Sequence, residues 1–144
     1  MSSVTTFFVD ELARLIRASG VNAHVGVVQT PVFNTGMYPY TLLVPPLHVL
    51  HSVALDDAPR ELSTAVQVTV VDTTPANLTR TADHVANTLA GATLDVDGYR
   101  VAPLKVAPLY PMRADRTVTI TDTNTHPITI GFEVQIVATR KEKP

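Results

Sequence analysis

Val4, Phe8, Leu12, Leu15 and Ile16 recur at steps of three and four, with Asp10, Glu11, Arg14 and Arg17 between them. That spacing predicts an amphipathic helix with one apolar stripe. Ser19-Gly20 closes it, because glycine takes the left-handed position after a helix with little strain. The period then shortens to two, the signature of strands. Residues 23–30 set Val25 and Val27 against His24, Gly26 and Val28, and residues 40–44 form a second extended run. In a third, Val66, Val68 and Val70 share one face, with Gln67, Thr69 and Val71 on the other. A second helical stripe follows in Leu78, Ala82, Val85, Ala86 and Leu89, stopping at Gly91. Residues 99–106 read as a strand. A final hairpin joins residues 116–121, where Val118 and Ile120 alternate with threonines, to a long strand with Ile130, Phe132, Val134, Ile136 and Ala138 on one face; residues 121–127 connect them.

Between these elements the turn residues speak. Residues 31–39 hold Asn34-Thr35-Gly36 between prolines and predict a loop. Pro45-Pro46 ends or bends the second strand, since proline cannot donate to a ladder. Residues 47–62 carry two signals: alternation over residues 48–53 predicts an extended arm, and Asp56-Asp57-Ala58-Pro59 predicts a turn after it. Residues 107–115, spaced by prolines, are expected outside regular structure. The order is helix, three strands, helix, three strands (α-β-β-β-α-β-β-β). It predicts an α+β domain with a mixed, mostly antiparallel sheet and two main helices packed on one face. At 144 residues the chain fits one domain, expected over residues 1–139 with a polar tail at 140–144.

Composition narrows the function. Hydrophobic residues at 45% against 17% charged mark a globular chain with a real core. A net charge of −2 supplies no broad basic field of the kind that holds nucleic acid by counterion release. With no cysteine there is no disulfide framework, thiolate metal site or thiol nucleophile. Residues 1–20, interrupted by Asp10, Glu11, Arg14 and Arg17, read as neither signal peptide nor membrane span. Asn77-Leu78-Thr79 matches a glycosylation triplet, which without secretion is a chance match.

The best candidate for chemistry is the strand-to-helix turn Asp72-Thr73-Thr74-Pro75. Thr74 as N-cap with Pro75 at the first helical position explains it without a ligand, and Asp72 is an alternative cap. A phosphate reading lacks the glycine-rich loop and the lysine. His48 and His51 have metal-like spacing only on a helix, which Pro45-Pro46 opposes, and no further ligands are spaced to join them. Asp83 and His84 are neighbours on a helix and diverge by ~100°. Asp56-Asp57 and Asp95 with Asp97 sit in ordinary turn sequences, and no Gly-x-Ser-x-Gly elbow is present. No catalytic, metal or cofactor residue is therefore assigned. What stands out is apolar material in apparent loops: Val32-Phe33, Met37-Tyr38, Leu47 and Leu109-Tyr110-Pro111-Met112, with Arg113 and Arg116 available as anchors. Such residues favour contact surfaces for other subunits over catalysis.

The helix "VDELARLIRASG", the two strands and loop of "VGVVQTPVFNTGMYPYTLLV", the strand and helix of "STAVQVTVVDTTPANLTRTADHVANTLAG" and the strand "HPITIGFEVQIVATR" together give the chain its resemblance. It resembles the tail terminator, or tail-completion, proteins of long-tailed bacteriophages over nearly its whole length. That resemblance implies a virion protein at the tail–neck junction, assembled in the host cytoplasm as a hexameric ring on the last ring of the tail tube. It would stop tube polymerisation and offer its other face to a head-side neck or stopper protein. DNA would only pass through the lumen, and neither a membrane nor a cofactor is implied. The arm at residues 47–62, with Leu47, His48 and Leu50, is expected to leave the body of the fold. The loops carrying Phe33, Met37 and Tyr38, and Leu109, Tyr110, Met112, Arg113 and Arg116, come next as contact surfaces. Two other classes remain: a different neck or tail component, such as a head-closure or tube protein, and a small ligand-binding or enzymatic α+β domain using Asp72 to Thr74.

Overall fold

A computed structural model of the chain describes residues 4–28, 34–45, 50–53 and 59–141. The elements run α1 (Val4–Ala18), β1 (Asn22–Val25), a 3-10 turn (Thr35–Met37), β2 (Tyr40–Val44), β3 (Leu50–Val53), β4 (Pro59–Asp72), α2 (Pro75–Leu89), β5 (Tyr99–Val101), β6 (Lys105–Ala114) and β7 (Ile128–Arg140). The seven strands make one mixed sheet in which β1 joins β2 in parallel and every other pairing is antiparallel. Two long central strands, β4 and β7, pair from Glu61–Thr139 to Asp72–Ile128. Along the outer side of β4 lie β2 and β3, each covering part of its length, and along the outer side of β7 lie β5 and β6. The α+β class and the two helices are as the sequence predicts. Among the described residues no helix is long and apolar enough to cross a membrane.

The register explains the burial. Val66, Val68 and Val70 lie opposite Val134, Phe132 and Ile130, so these positions share the helix-covered face of the sheet. Against them pack Phe8, Leu12 and Ile16 of α1 and Leu78, Val85 and Leu89 of α2, all fully buried. Each such side chain contributes ~1.5–3 kcal/mol of burial. Phe8 meets Tyr99 of β5 edge to face at 5.6 Å, which ties the first helix to the far edge of the sheet. On the other face, Tyr40 pairs with Val71 across β2 and β4; both are buried, as is Ile120, apart from the main core.

Four expectations need correction. First, β1 stops at Val25, because Gly26 takes φ +83° and Val27 N–H turns back onto the Val25 carbonyl. Second, residues 99–106 are not one strand: β5 ends at Val101, where Ala102 N–H reaches the Val137 carbonyl and the chain breaks before β6. Third, residues 107–115 are mainly strand: β6 accommodates Pro108 and Pro111 because it lies on an edge and pairs with β7 alone, with register shifts between Pro108 and Tyr110 and between Tyr110 and Arg113. Fourth, the hairpin partner of β7 is therefore β6, not residues 116–121. Those residues lie in a loop: Asp115 accepts the Thr117 N–H at 3.1 Å, Ile120 bridges only to Thr125, and Asn124 takes φ 54°. Their threonine–aliphatic alternation has a strand's period, but these residues join no strand of the sheet and make only the isolated Ile120–Thr125 bridge.

The ambiguous stretch at 47–62 also resolves in part. Leu50–Val53 is β3, and β4 begins at Pro59, so the two ends of the stretch pair with each other and add a fourth strand before α2. Residues 46–49 and 54–58 lie outside the described residues. β7 runs through Arg140, one residue into the segment read as a tail.

Candidate assembly surface

The turn that leaves β4 spends its polar groups within the chain. Thr74, extended at φ −132°, accepts the Asn77 N–H at 3.3 Å, and Pro75 follows at the start of α2. Of the two capping candidates it is thus Thr74 that caps. Asp72 is buried, one carboxylate oxygen accepting the Thr73 N–H at 2.7 Å and the other the Thr81 hydroxyl at 3.4 Å. Asp83 and His84 are exposed on α2, and His84 Nε2 donates to the Ser19 carbonyl at 3.0 Å, latching α2 to the end of α1. Asp95 and Asp97 are exposed, and the Asp95 N–H donates to Glu11. Among the described residues no three His, Asp or Glu side chains gather as metal ligands.

The segment with the most elaborate side-chain construction is β6. Its Tyr110 ring lies flat over Gly131 of β7: a Cβ at that glycine would stand 2.1 Å from the ring's Cε2 atom. The Tyr110 hydroxyl donates to the Thr69 hydroxyl of β4 at 3.3 Å, so the ring bridges three strands across the face opposite the helices. On top of the ring sits the Arg113 guanidinium, 3.9 Å from its centroid. Arg113 is exposed, so the stack presents a planar cation to solvent in a fixed place. Sequence reasoning named Tyr110 and Arg113 but missed Gly131 and Thr69. The available signal was a lone glycine inside the alternating run Ile130-Gly131-Phe132, which marks close approach of another group.

The other candidates divide. Leu109 is 43% exposed, while Met112 is half-buried and packs against the core. Arg116 is exposed just past β6. Met37 and Tyr38 are half-buried at the 3-10 turn, with Tyr38 against Tyr40 at 5.4 Å. Burial raises the Tyr38 hydroxyl above tyrosine's ordinary range. That turn is tied to the loop after β6: Asp122 accepts the Thr35 hydroxyl and the Thr35 N–H, which holds its carboxyl below the usual range. Phe33, Leu47 and His48 lie outside the described residues. Leu50 opens β3.

Two hollows complete the surface. An apolar groove of about 560 Å³ runs between α2 and the edge of the sheet, floored by Val106, Pro108, Leu109, Tyr110 and Phe132 and walled by Ala82 and Ala86. A second, about 630 Å³, lies where α1 meets residues 95–97; it is lined by Phe7, Asp10, Glu11, Arg14, Asp95, Val96 and Asp97. There Arg14 pairs with Glu11, which pulls the glutamate down and the guanidinium up from their ordinary ranges.

No protein-family model matches the chain, and no curated protein matches it either. Among solved structures, a chain from the virion of a native gene transfer agent particle aligns with a TM-score of 0.51 and 17% identity, over 94% of this chain and 95% of that one. At such identity the likeness is one of fold. A second solved chain aligns over 98% of this chain and 95% of its own length at 15% identity, with a TM-score of 0.48.

Proposed function

We propose that this protein is a structural virion component that caps a tail tube as a ring, six subunits in the form the family resemblance implies. The observation that carries the reading is the end-to-end fold likeness to a chain of a virion particle, 94% of one chain against 95% of the other. It is a likeness between whole subunits rather than between a shared fragment. It agrees with the terminator pattern in the sequence, which points to the same kind of particle.

The mechanism is binding without a chemical step. A tube grows because each ring leaves a free end for the next, and a subunit ring that occupies that end with a different opposite face removes the site of addition. The internal use of Asp72 and Thr74 supports this reading over an enzyme at that turn, since their oxygens are already engaged. The groove and the Tyr110–Arg113 stack are the kind of surface such a subunit needs: an apolar hollow and an ordered arginine. DNA would pass the ring without sequence readout, in keeping with the chain's net charge of −2.

The test is to add purified protein to polymerising tail tubes and to measure tube length and end density by electron microscopy, alongside mass in solution. Added protein is expected to arrest growth and to leave a ring on one end. A strict monomer that neither sits on tube ends nor limits their growth would overturn the reading.

A further inference from the structure

A strand at the end of a sheet offers unpaired backbone groups to any other edge that meets it, and such an edge is either closed or left as an interface. β1 is an end of this kind. It opens the strand order and, among the described residues, pairs with β2 alone. The parallel register shows which of its groups face outward. Val25 stands opposite Leu43, and the Gly26 N–H donates to the Leu43 carbonyl at 2.8 Å, so the backbone groups of His24 and Gly26 point at β2. Those of Ala23 and Val25 alternate with them and point away from the sheet.

Both outward carbonyls are engaged within the chain. Arg17, exposed in the last turn of α1, brings two donors to the Ala23 oxygen, Nη2 at 2.8 Å and Nε at 3.2 Å. The Val25 oxygen accepts the Val27 N–H at 3.0 Å as the chain turns at Gly26. We infer that Arg17 is an edge guard, which keeps β1 from pairing with the β1 strand of a second copy of this chain. The inference goes beyond the capping reading and holds equally for a single subunit and for one in a ring. Two N–H donors on one carbonyl use both of its lone pairs, so an arriving strand amide finds the acceptor filled. It also meets a fixed positive charge. In a β1–β1 pairing about a two-fold axis each Arg17 would confront its own copy as well. A cation in the last turn favours a helix through its dipole, but that effect needs no contact with Ala23. Without Arg17 the edge reads Asn22-Ala23-His24-Val25, with Val25 38% exposed and no lysine or arginine among the four.

The test compares Arg17→Ala with the native chain by light-scattering mass over a concentration series, with amide exchange read residue by residue. Arg17→Ala is expected to associate, at least doubling the mass of the native species, at a concentration about tenfold or more below any at which the native chain does so. The Ala23 and Val25 amides should gain protection in the associated species. Loss of the bond also loosens the fold, so a second variant separates the two effects. Arg17→Ala with Val25→Lys puts a charge on the edge without restoring the bond to Ala23; it should return the mass to the native value while the urea midpoint stays near that of Arg17→Ala. An Arg17→Ala protein that keeps the native mass overturns the inference. So does association that persists in the double variant or brings no protection to Ala23 and Val25, since it then runs through another surface. Each of these outcomes leaves the capping reading standing, because that reading is decided on tail tubes.

Discussion

Gly131 is where a missing side chain does the most. Its bare Cα lets the Tyr110 ring lie on the strand, and that position lets the hydroxyl reach Thr69 and the ring carry Arg113. Gly131→Ala is expected to displace the ring and to lower stability by ~1–3 kcal/mol, read as a shift in the urea midpoint. Combining it with Tyr110→Ala should cost less than the two changes summed, because both break the same stack; strict additivity would refute the arrangement. Thr74 works through its hydroxyl. Thr74→Ala should cost ~1 kcal/mol and leave the proposed tube capping intact, and loss of that capping by a fully folded Thr74→Ala protein would contradict the assignment of Thr74 as a helix cap alone. This cap was legible in the sequence because the Thr-Pro pair is a local signal. The Tyr110 stack was legible only in part, since Thr69 lies 41 residues from Tyr110 and no local pattern joins them.

At the scale of elements, the loop after β6 is organised by short-range bonds together with a long-range link from Asp122 to Thr35. Asp122→Asn keeps the size but weakens the charged acceptor. Amide exchange at Thr35 and protease cutting within residues 115–127 should both rise, while the unfolding midpoint moves little, as expected for a local opening. Unchanged exchange at Thr35 would show that the link does not hold the loop. The helices and the four strands with strong alternation or an unbroken apolar face were legible because one face of each meets the core. The errors cluster in residues 107–121, where the periodicity argument fails for opposite reasons. Pro108 and Pro111 hid a strand that edge position makes tolerable, and Thr117 to Thr121 imitated a strand in a loop whose Ile120 is buried for a different reason. Edge position depends on which strands pair along β7 and β4 in the finished sheet, and a single stretch of sequence does not contain that.

For the molecule as a whole, the face opposite the helices makes stability sensitive to alkali. Burial pushes the Tyr40 hydroxyl from tyrosine's ordinary 10.0 up to about 12, with Tyr38 and Asp115 adding to the effect. A folded value above the unfolded one means that the contribution is complete below pH 10 and is lost as pH rises toward about 12. Denaturant midpoints should therefore fall more steeply over that window in the native chain than in Tyr40→Phe, and parallel curves would refute the burial of that hydroxyl. The two long strands carry a consequence of another kind. β4 has 14 residues, about 46 Å at ~3.3 Å per residue, and β7 pairs with it over nearly all of that length. A pull applied along this axis at opposite ends loads the ladder in shear, so its bonds share the force instead of unzipping one by one. The molecule is thus stiff in one direction and, with its flanking rows each divided into two shorter strands, more compliant across it.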